Sequence, residues 1–190
     1  MEKIKIGIST CLLGRNVRYD GGHQWDRYLT ETLGRYFTYI PVCPEVEYGL
    51  PVPREAMRLV GDPAAPRLVT IRTGIDHTAG MQSWAAEKLQ ELEQESLCGF
   101  IFKSKSPSSG MTAVKVYVPG GMPVKRGIGV FAAAFMARFP LLPVEEDGRL
   151  QDPALRENFI ERVFVYRRWQ LLLAGRPKFR DLERFHREHK

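Results

Sequence analysis

The stretch Lys3-Ile4-Lys5-Ile6-Gly7-Ile8-Ser9-Thr10-Cys11 decides how the rest of the chain is read. Ile4, Ile6 and Ile8 alternate with Lys3, Lys5 and Gly7, the period of two that a strand with one buried face requires. The alternation stops at Ser9, and a thiol follows two residues later. A polar, Gly-rich loop over 16–23 comes next. Trp25, Tyr28, Leu29 and Leu33 then fall at helical spacing, with Gly34 as a stop. Residues 36–42 read as a second strand, ended by Pro44 in Cys43-Pro44-Glu45.

Working outward, Pro51, Pro53, Pro63 and Pro66 predict an ordered loop over 48–66. A short strand is expected at 68–72. Residues 77–95 form the clearest helix, with an apolar stripe of Met81, Trp84, Ala85, Leu89 and Leu92. Cys98-Gly99-Phe100-Ile101-Phe102 suits a buried parallel strand and empties into the polar turn 103–110. Another strand is expected at 114–118, an Ala-rich helix at 127–138 and a charged turn at 145–148. Asp152-Pro153 is a cap-and-first-turn signal for a long helix over 154–174, and a second helix begins near Asp181. Strands alternating with helices of this length predict an α/β fold, a three-layer, largely parallel sheet with helices on both faces, followed by a C-terminal helical extension.

Composition narrows the function classes. A chain of 190 residues buries one good core, and no apolar run approaches the roughly 18 residues of a membrane span. The N-terminus lacks the pattern of a signal peptide, so a cytoplasmic protein with reduced thiols and no membrane partner is expected. Three cysteines do not make a disulfide framework. The net charge of +6 permits a polyanion such as RNA without requiring one. Of that charge, residues 151–190 supply +4, from ten Lys/Arg and six Asp/Glu. The oligomeric state is not legible.

In a parallel α/β sheet, ligands gather beyond the carboxyl ends of the strands. Three polar turns fall there: Ser9-Thr10-Cys11, Val42-Cys43-Pro44-Glu45, and 104–110. Two of them carry a thiol. Cys11 and Cys43 at neighbouring strand ends point to an iron–sulfur or other soft-metal centre; a buried structural thiol is the commoner role of any single cysteine. Zinc would favour close Cys-x-x-Cys pairs, which are absent. A cluster tolerates wide spacing, and an iron without a protein ligand is a Lewis acid for a sulfur-bearing substrate. Glu45 is either an ordinary carboxylate paired with Arg54 or Arg58, or a general acid/base beside a metal. The serines of 104–109, with Lys103 and Lys105, are turn residues that could also hold an anion or orient a substrate. Arg18, Asp20 and His23 share one flexible loop.

Four segments carry a family resemblance. They are 9–22 (Ser-Thr-Cys-Leu-Leu-Gly-x-x-Val-Arg-Tyr-Asp-Gly-Gly), Pro41-Val42-Cys43-Pro44-Glu45, 49–54 (Gly-Leu-Pro-Val-Pro-Arg) and 103–110 (Lys-Ser-Lys-Ser-Pro-Ser-Ser-Gly). In this order they resemble the DUF523 family, the thiouracil desulfidases, over residues 1–145. Residues 151–190 resemble the opening of a DUF1722 domain, as in the fused bacterial desulfidases that act on 4-thiouridine in tRNA. The resemblance implies a 4Fe–4S cluster held by three cysteines, and non-redox replacement of the thione sulfur of a thiolated pyrimidine by water, releasing sulfide. It places Cys11, Cys43 and position 109 as ligands, Glu45, Ser106 and Ser108 as catalytic groups, and Arg18, Asp20, Lys103 and Ser104 against the substrate. The family's third motif ends Ser-Pro-Ser-Cys-Gly, whereas this chain has Ser109. Cys98 lies at the opposite end of its strand, ~20 Å of extended chain away, and is expected to be a buried thiol. The alternative reading is a non-catalytic RNA-binding or structural-metal module of a larger RNA-modification protein. A full helical domain would extend past Lys190.

Overall fold

A computed structural model describes residues 3–189. Its central sheet contains β1 (Ile4–Ser9), β2 (Phe37–Val42), β5 (Phe100–Phe102) and β8 (Val144–Glu146), in the order β2-β1-β5-β8 and parallel throughout. Ile6 and Ile8 are fully buried, as the alternation requires. Gly7 has a packing reason to lack a side chain: a Cβ there would lie 2.2 Å from the Phe100 ring. Phe100 thus lies across β1 and joins Phe102, Phe131 and Phe135 in an aromatic cluster.

Helices cover both faces of this sheet. On one side, α2 (Thr78–Gln94) and α3 (Val130–Arg138) bury Ala85, Leu89, Leu92, Phe131 and Phe135 against Phe100 and Phe102. On the other, α4 (Pro153–Ala174) buries Phe159 and Val163 with Ile6, Ile8 and Ile101, beside Leu29 and Leu33. Asp152 caps α4 by accepting from the N–H groups of Ala154 and Leu155, and Pro153 occupies the first turn, where no N–H partner is needed. A last helix, α5 (Phe179–Glu188), follows. Among the described residues no helix is long and apolar enough to cross a membrane.

A second sheet of β3 (Met57–Val60), β4 (Arg67–Thr70), β6 (Val114–Tyr117) and β7 (Val124–Gly127) runs in the order β4-β3-β6-β7. The pairs β3/β4 and β6/β7 are antiparallel and β3/β6 is parallel. Its inner face, built from Leu59, Leu68, Val114 and Val116, packs on Met81 and Trp84 of α2. Residues 48–66 are therefore not all loop. The four prolines bracket β3, leaving 57–60 proline-free and able to donate to a ladder. The expected turn at 145–148 also begins as strand. Glu145 and Glu146 sit in β8 because Arg149 pairs with the first, and the N–H groups of Met111 and Thr112 bind the second. The helix expected from 127 begins at Val130, since Gly127 ends β7. The helix expected after Trp25 is a π-helical turn (Tyr28–Thr32) and a 3-10 turn (Leu33–Arg35), with the Asp26 side chain accepting from Leu29 N–H.

Candidate active site

The order β2-β1-β5-β8 reverses direction at β1. The chain steps from β1 outward to β2, then returns to the other side of β1 with β5. The carboxyl ends of β1, β2 and β5 meet at this switch point, where a crevice is expected. A cavity of about 440 Å³ lies there, lined from three strand ends by Cys11, Cys43, Glu45, Lys103, Ser104, Ser106 and Ser109, and its size suits a small ligand.

Cys11 follows β1 in a 3-10 turn (Thr10–Leu13) closed by Gly14, whose φ of 81° suits glycine. Cys43 stands just before α1 (Pro44–Glu47), and its backbone N–H donates to Glu47 Oε1 at 2.7 Å. Both cysteines are buried and free. Burial pushes the Cys11 thiol up to about 11 and the Cys43 thiol up to about 12, in each case by disfavouring the charged form. Neither is an activated nucleophile, because the thiolate is the reactive form. A soft metal would hold them deprotonated.

Glu45 sits in the first turn of α1, two residues after Cys43. Its Oε1 accepts from Ser108 Oγ at 2.5 Å, and its Oε2 lies 3.6 Å from Cys43 Sγ and 3.7 Å from an Arg54 guanidinium nitrogen. Ser106 Oγ accepts from the N–H groups of Ser108 and Ser109 and lies 3.0 Å from Ser108 Oγ. Since Ser108 donates to the carboxylate, the Ser106 hydroxyl proton points at Ser108 Oγ. The three groups form a one-way chain, Ser106 to Ser108 to Glu45.

Lys103 leaves β5 toward the cavity. Its backbone N–H donates to Ser9 Oγ at 2.9 Å, tying the ends of β5 and β1 together. Its ammonium pairs with Asp147 at 2.8 Å, and Asp147 also accepts from Ser104 N–H at 2.7 Å. This places a fixed cation on the cavity wall in the field of Cys11.

The structure does not gather every expected residue at the cavity. Ser108 is fully buried behind the wall and reaches the site only through Glu45 and Ser106. Arg18 lines the cavity, while Asp20 lies outside the lining and grips Arg18 through two contacts of 3.3 Å. Gly22 N–H and Arg18 hold the Asp20 carboxyl below its ordinary range. His23 accepts from Trp25 N–H and is a turn residue. Cys98 is buried in the core on the α4 side, its thiol donating to Gln170 at 3.1 Å.

Two contributors escaped the sequence reading. In sequence Asp147 is one residue of a charged turn, and only the adjacency of β5 and β8 brings it to Lys103. The sequence offers Arg54 only as a partner for Glu45. Its side chain is 7% exposed, and it donates to Val17 O at 2.9 Å while facing Glu45. Cys43 Sγ faces the same two acceptors, Val17 O at 3.9 Å and Glu45. Arg54 therefore braces both neighbours of Cys43. The signal was its place in the 49–54 motif.

No group of three or more His, Cys, Asp or Glu side chains suited to a metal ion occurs among the described residues. What converges is two thiols and the hydroxyl of Ser109. Ser109 is 3% exposed, lines the cavity and has no hydrogen-bond partner for Oγ among the described residues. Two soft donors and one uncommitted oxygen fit an iron–sulfur cluster better than zinc, which favours four nitrogen or sulfur ligands.

Comparison with known proteins bears on this arrangement. The family profile described as 2-thiouracil desulfurase matches residues 6–147. The solved structure of a 4Fe-4S-dependent thiouracil desulfidase, TudS (DUF523Vcz), matches with a TM-score of 0.61 at 30% sequence identity, covering 82% of this chain and 99% of that one. No curated protein gives a significant match. The matched span begins in β1 and ends at Asp147, so it takes in all three strand ends and every residue that lines the cavity from them. On that span the chain belongs to the 2-thiouracil desulfurase family.

Proposed function

We propose that this chain removes sulfur from a thiolated pyrimidine, free thiouracil or 4-thiouridine within tRNA. The exchange is non-redox: the thione and one water give the oxo-pyrimidine and hydrogen sulfide. The observation that carries the reading is the convergence of Cys11, Cys43 and the Ser106–Ser108–Glu45 chain on one cavity. The solved neighbour's 4Fe-4S dependence supports the same cofactor here, with Cys11, Cys43 and Ser109 as the residues that would hold it. A bound cluster supplies a soft Lewis-acid iron for the thione sulfur.

The remaining chemistry belongs to the protein. Glu45 takes a proton from the attacking water at Oε2, the oxygen turned toward the Cys43 thiol, while Oε1 stays hydrogen-bonded to Ser108. It returns that proton to the departing sulfur, a general base turned general acid. The Ser106–Ser108 pair fixes the carboxylate and connects it to the cavity wall at Ser106. Lys103, held by Asp147, and Arg18, held by Asp20, offset negative charge that develops on the pyrimidine. In domain terms, residues 1–145 carry the cavity and its chemistry, and 151–190 form a helical extension of DUF1722-like character whose first helix, α4, packs into the core of that unit.

Anaerobic reconstitution with iron and sulfide tests the reading. The expected result is a brown protein that releases sulfide from thiouracil, while Cys11→Ala and Cys43→Ala stay colourless. Glu45→Gln is expected to keep iron and to lose sulfide release by 10²-fold or more, on the order of a lost general acid/base. Wild-type turnover in Glu45→Gln would remove the carboxylate from the chemistry.

A further inference from the structure

The outer face of the second sheet carries a row of cations that the desulfidase reading leaves without a role. Leu59, Val116 and Val124 face the core, so their strand neighbours Arg58, Lys115 and Lys125 face outward. The register aligns them. Lys115 pairs directly with Lys125 across β6 and β7, and Leu59 pairs with Val116, which sets Arg58 beside Lys115. The irregularity at Val114/Lys115 leaves Arg126 as an extra exposed cation on β7. Neighbouring strands are ~4.8 Å apart, so four positive groups crowd a band three strands wide.

Such a row costs stability, because like charges directly opposite each other repel. Neutralisation within the fold is missing: Lys115, Lys125 and Arg126 have no ion pair among the described residues. Arg58 instead lies over the Tyr117 ring, 4.9 Å from its centroid, and its Nε is buried without a hydrogen-bond partner. Tyr117 is itself 37% exposed. Cations beside a solvent-facing aromatic ring are the combination that holds a nucleic-acid strand, the cations on phosphates and the ring under a base. The strand that carries Arg58 reaches the cavity at its start, where Met57 lines it from the inner face of the sheet.

From this juxtaposition we infer that the outer face of the second sheet is an RNA-binding surface, which carries the strand flanking the thiolated nucleotide while its base enters the cavity. The inference rests on the desulfuration reading for the base, and on its own observations for the surface. The ribose-phosphate chain crosses β7, β6 and β3 in that order toward the cavity mouth.

The test uses the full chain and an unthiolated single-stranded RNA, with affinity followed by fluorescence anisotropy across a salt series. Lys115→Glu replaces a repulsive cross-strand pair with an attractive one, so a purely structural role predicts higher stability and nothing else. The expected result is equal or higher resistance to urea together with RNA binding weakened about tenfold or more. The log–log salt slope should shrink by about 0.7 for each lost phosphate contact on a single strand, and by about twice that in Lys115→Glu/Lys125→Glu. Lys115→Arg should bind as wild type does. Sulfide release from free thiouracil should be unchanged in every variant, while KM for a thiolated oligonucleotide rises in Lys115→Glu and in the double variant only. Wild-type RNA affinity and salt slope in the double variant would overturn the surface, as would tighter binding to anionic phospholipid vesicles than to RNA. Absent turnover of both free thiouracil and the thiolated oligonucleotide, with lysine-dependent RNA binding intact, would sink the desulfuration reading and leave the surface standing.

Discussion

Ser109 places an oxygen where a soft-metal site favours sulfur. Its hydroxyl lines the cavity with Cys11 and Cys43 and is uncommitted to any hydrogen bond among the described residues, so position and freedom suit a ligand. Its chemistry suits one less well, because an alkoxide is harder than a thiolate and harder to form, while soft sulfur ligands select iron–sulfur clusters. Ser109→Cys supplies the softer donor at nearly constant volume. The expected outcome is more iron and labile sulfide per chain after anaerobic reconstitution, and slower bleaching of the visible absorbance in air. Iron content equal to wild type in Ser109→Cys would place the third ligand elsewhere. Cys98 offers no substitute: it precedes β5, at the end of that strand away from the cavity, with its thiol on Gln170.

The element that sets the geometry of the site is the serine turn, 106–110, wedged against the start of α3. Val130 N–H donates to Pro107 O, and Phe131 N–H donates to Ser108 O at 2.9 Å. The fit depends on glycine at 129, where a Cβ would lie 2.4 Å from the backbone carbon of Ser108. Backbone cannot move aside as a side-chain tip can. Gly129→Ala is therefore expected to cost about 1–3 kcal/mol, the range of overpacking, read by urea unfolding. It should also slow sulfide release, because the shifted loop carries Ser106 and Ser108 away from Glu45. A variant with wild-type turnover would show that the serine chain tolerates displacement. The same scale explains what the sequence revealed and what it hid. β1 and α2 were legible because alternation and the 3.6 period are local signals. Cys11, Cys43 and Glu45 were legible because strand ends are predictable once the strands are. β3, β7 and β8 were hidden: each has only three or four residues, too few to show a period, and β3 and β8 are also recruited by strands distant in sequence, β6 and β5. Asp147 and the buried setting of Arg54 were hidden for the same reason, since each acts through a partner on another element.

At the scale of the whole molecule, α4 belongs to the catalytic fold even though its sequence reads as an appendage. Phe159 is 1% exposed and Val163 fully buried, and both pack in the cluster that contains Ile6, Ile8, Leu12 and Cys11. Val163 also lies where a Cβ on Gly99, just ahead of β5, would come within 2.9 Å. One face of the central sheet is thus completed by a helix beyond the matched span 6–147. By contrast, α5 has no buried residue and meets α4 chiefly through Phe185 against Trp169. The cooperative unit should then run through α4 and loosen in α5. Phe159→Ala is expected to cost about 3–5 kcal/mol and to lower the urea midpoint of the entire domain in a single transition. Because Cys11 shares that cluster, iron retention should fall with it. Phe185→Ala removes a contact outside that core and should leave the main transition in place. A separate, early transition for α4 in Phe159→Ala, with iron retained, would make the helix a dispensable neighbour of the desulfidase fold.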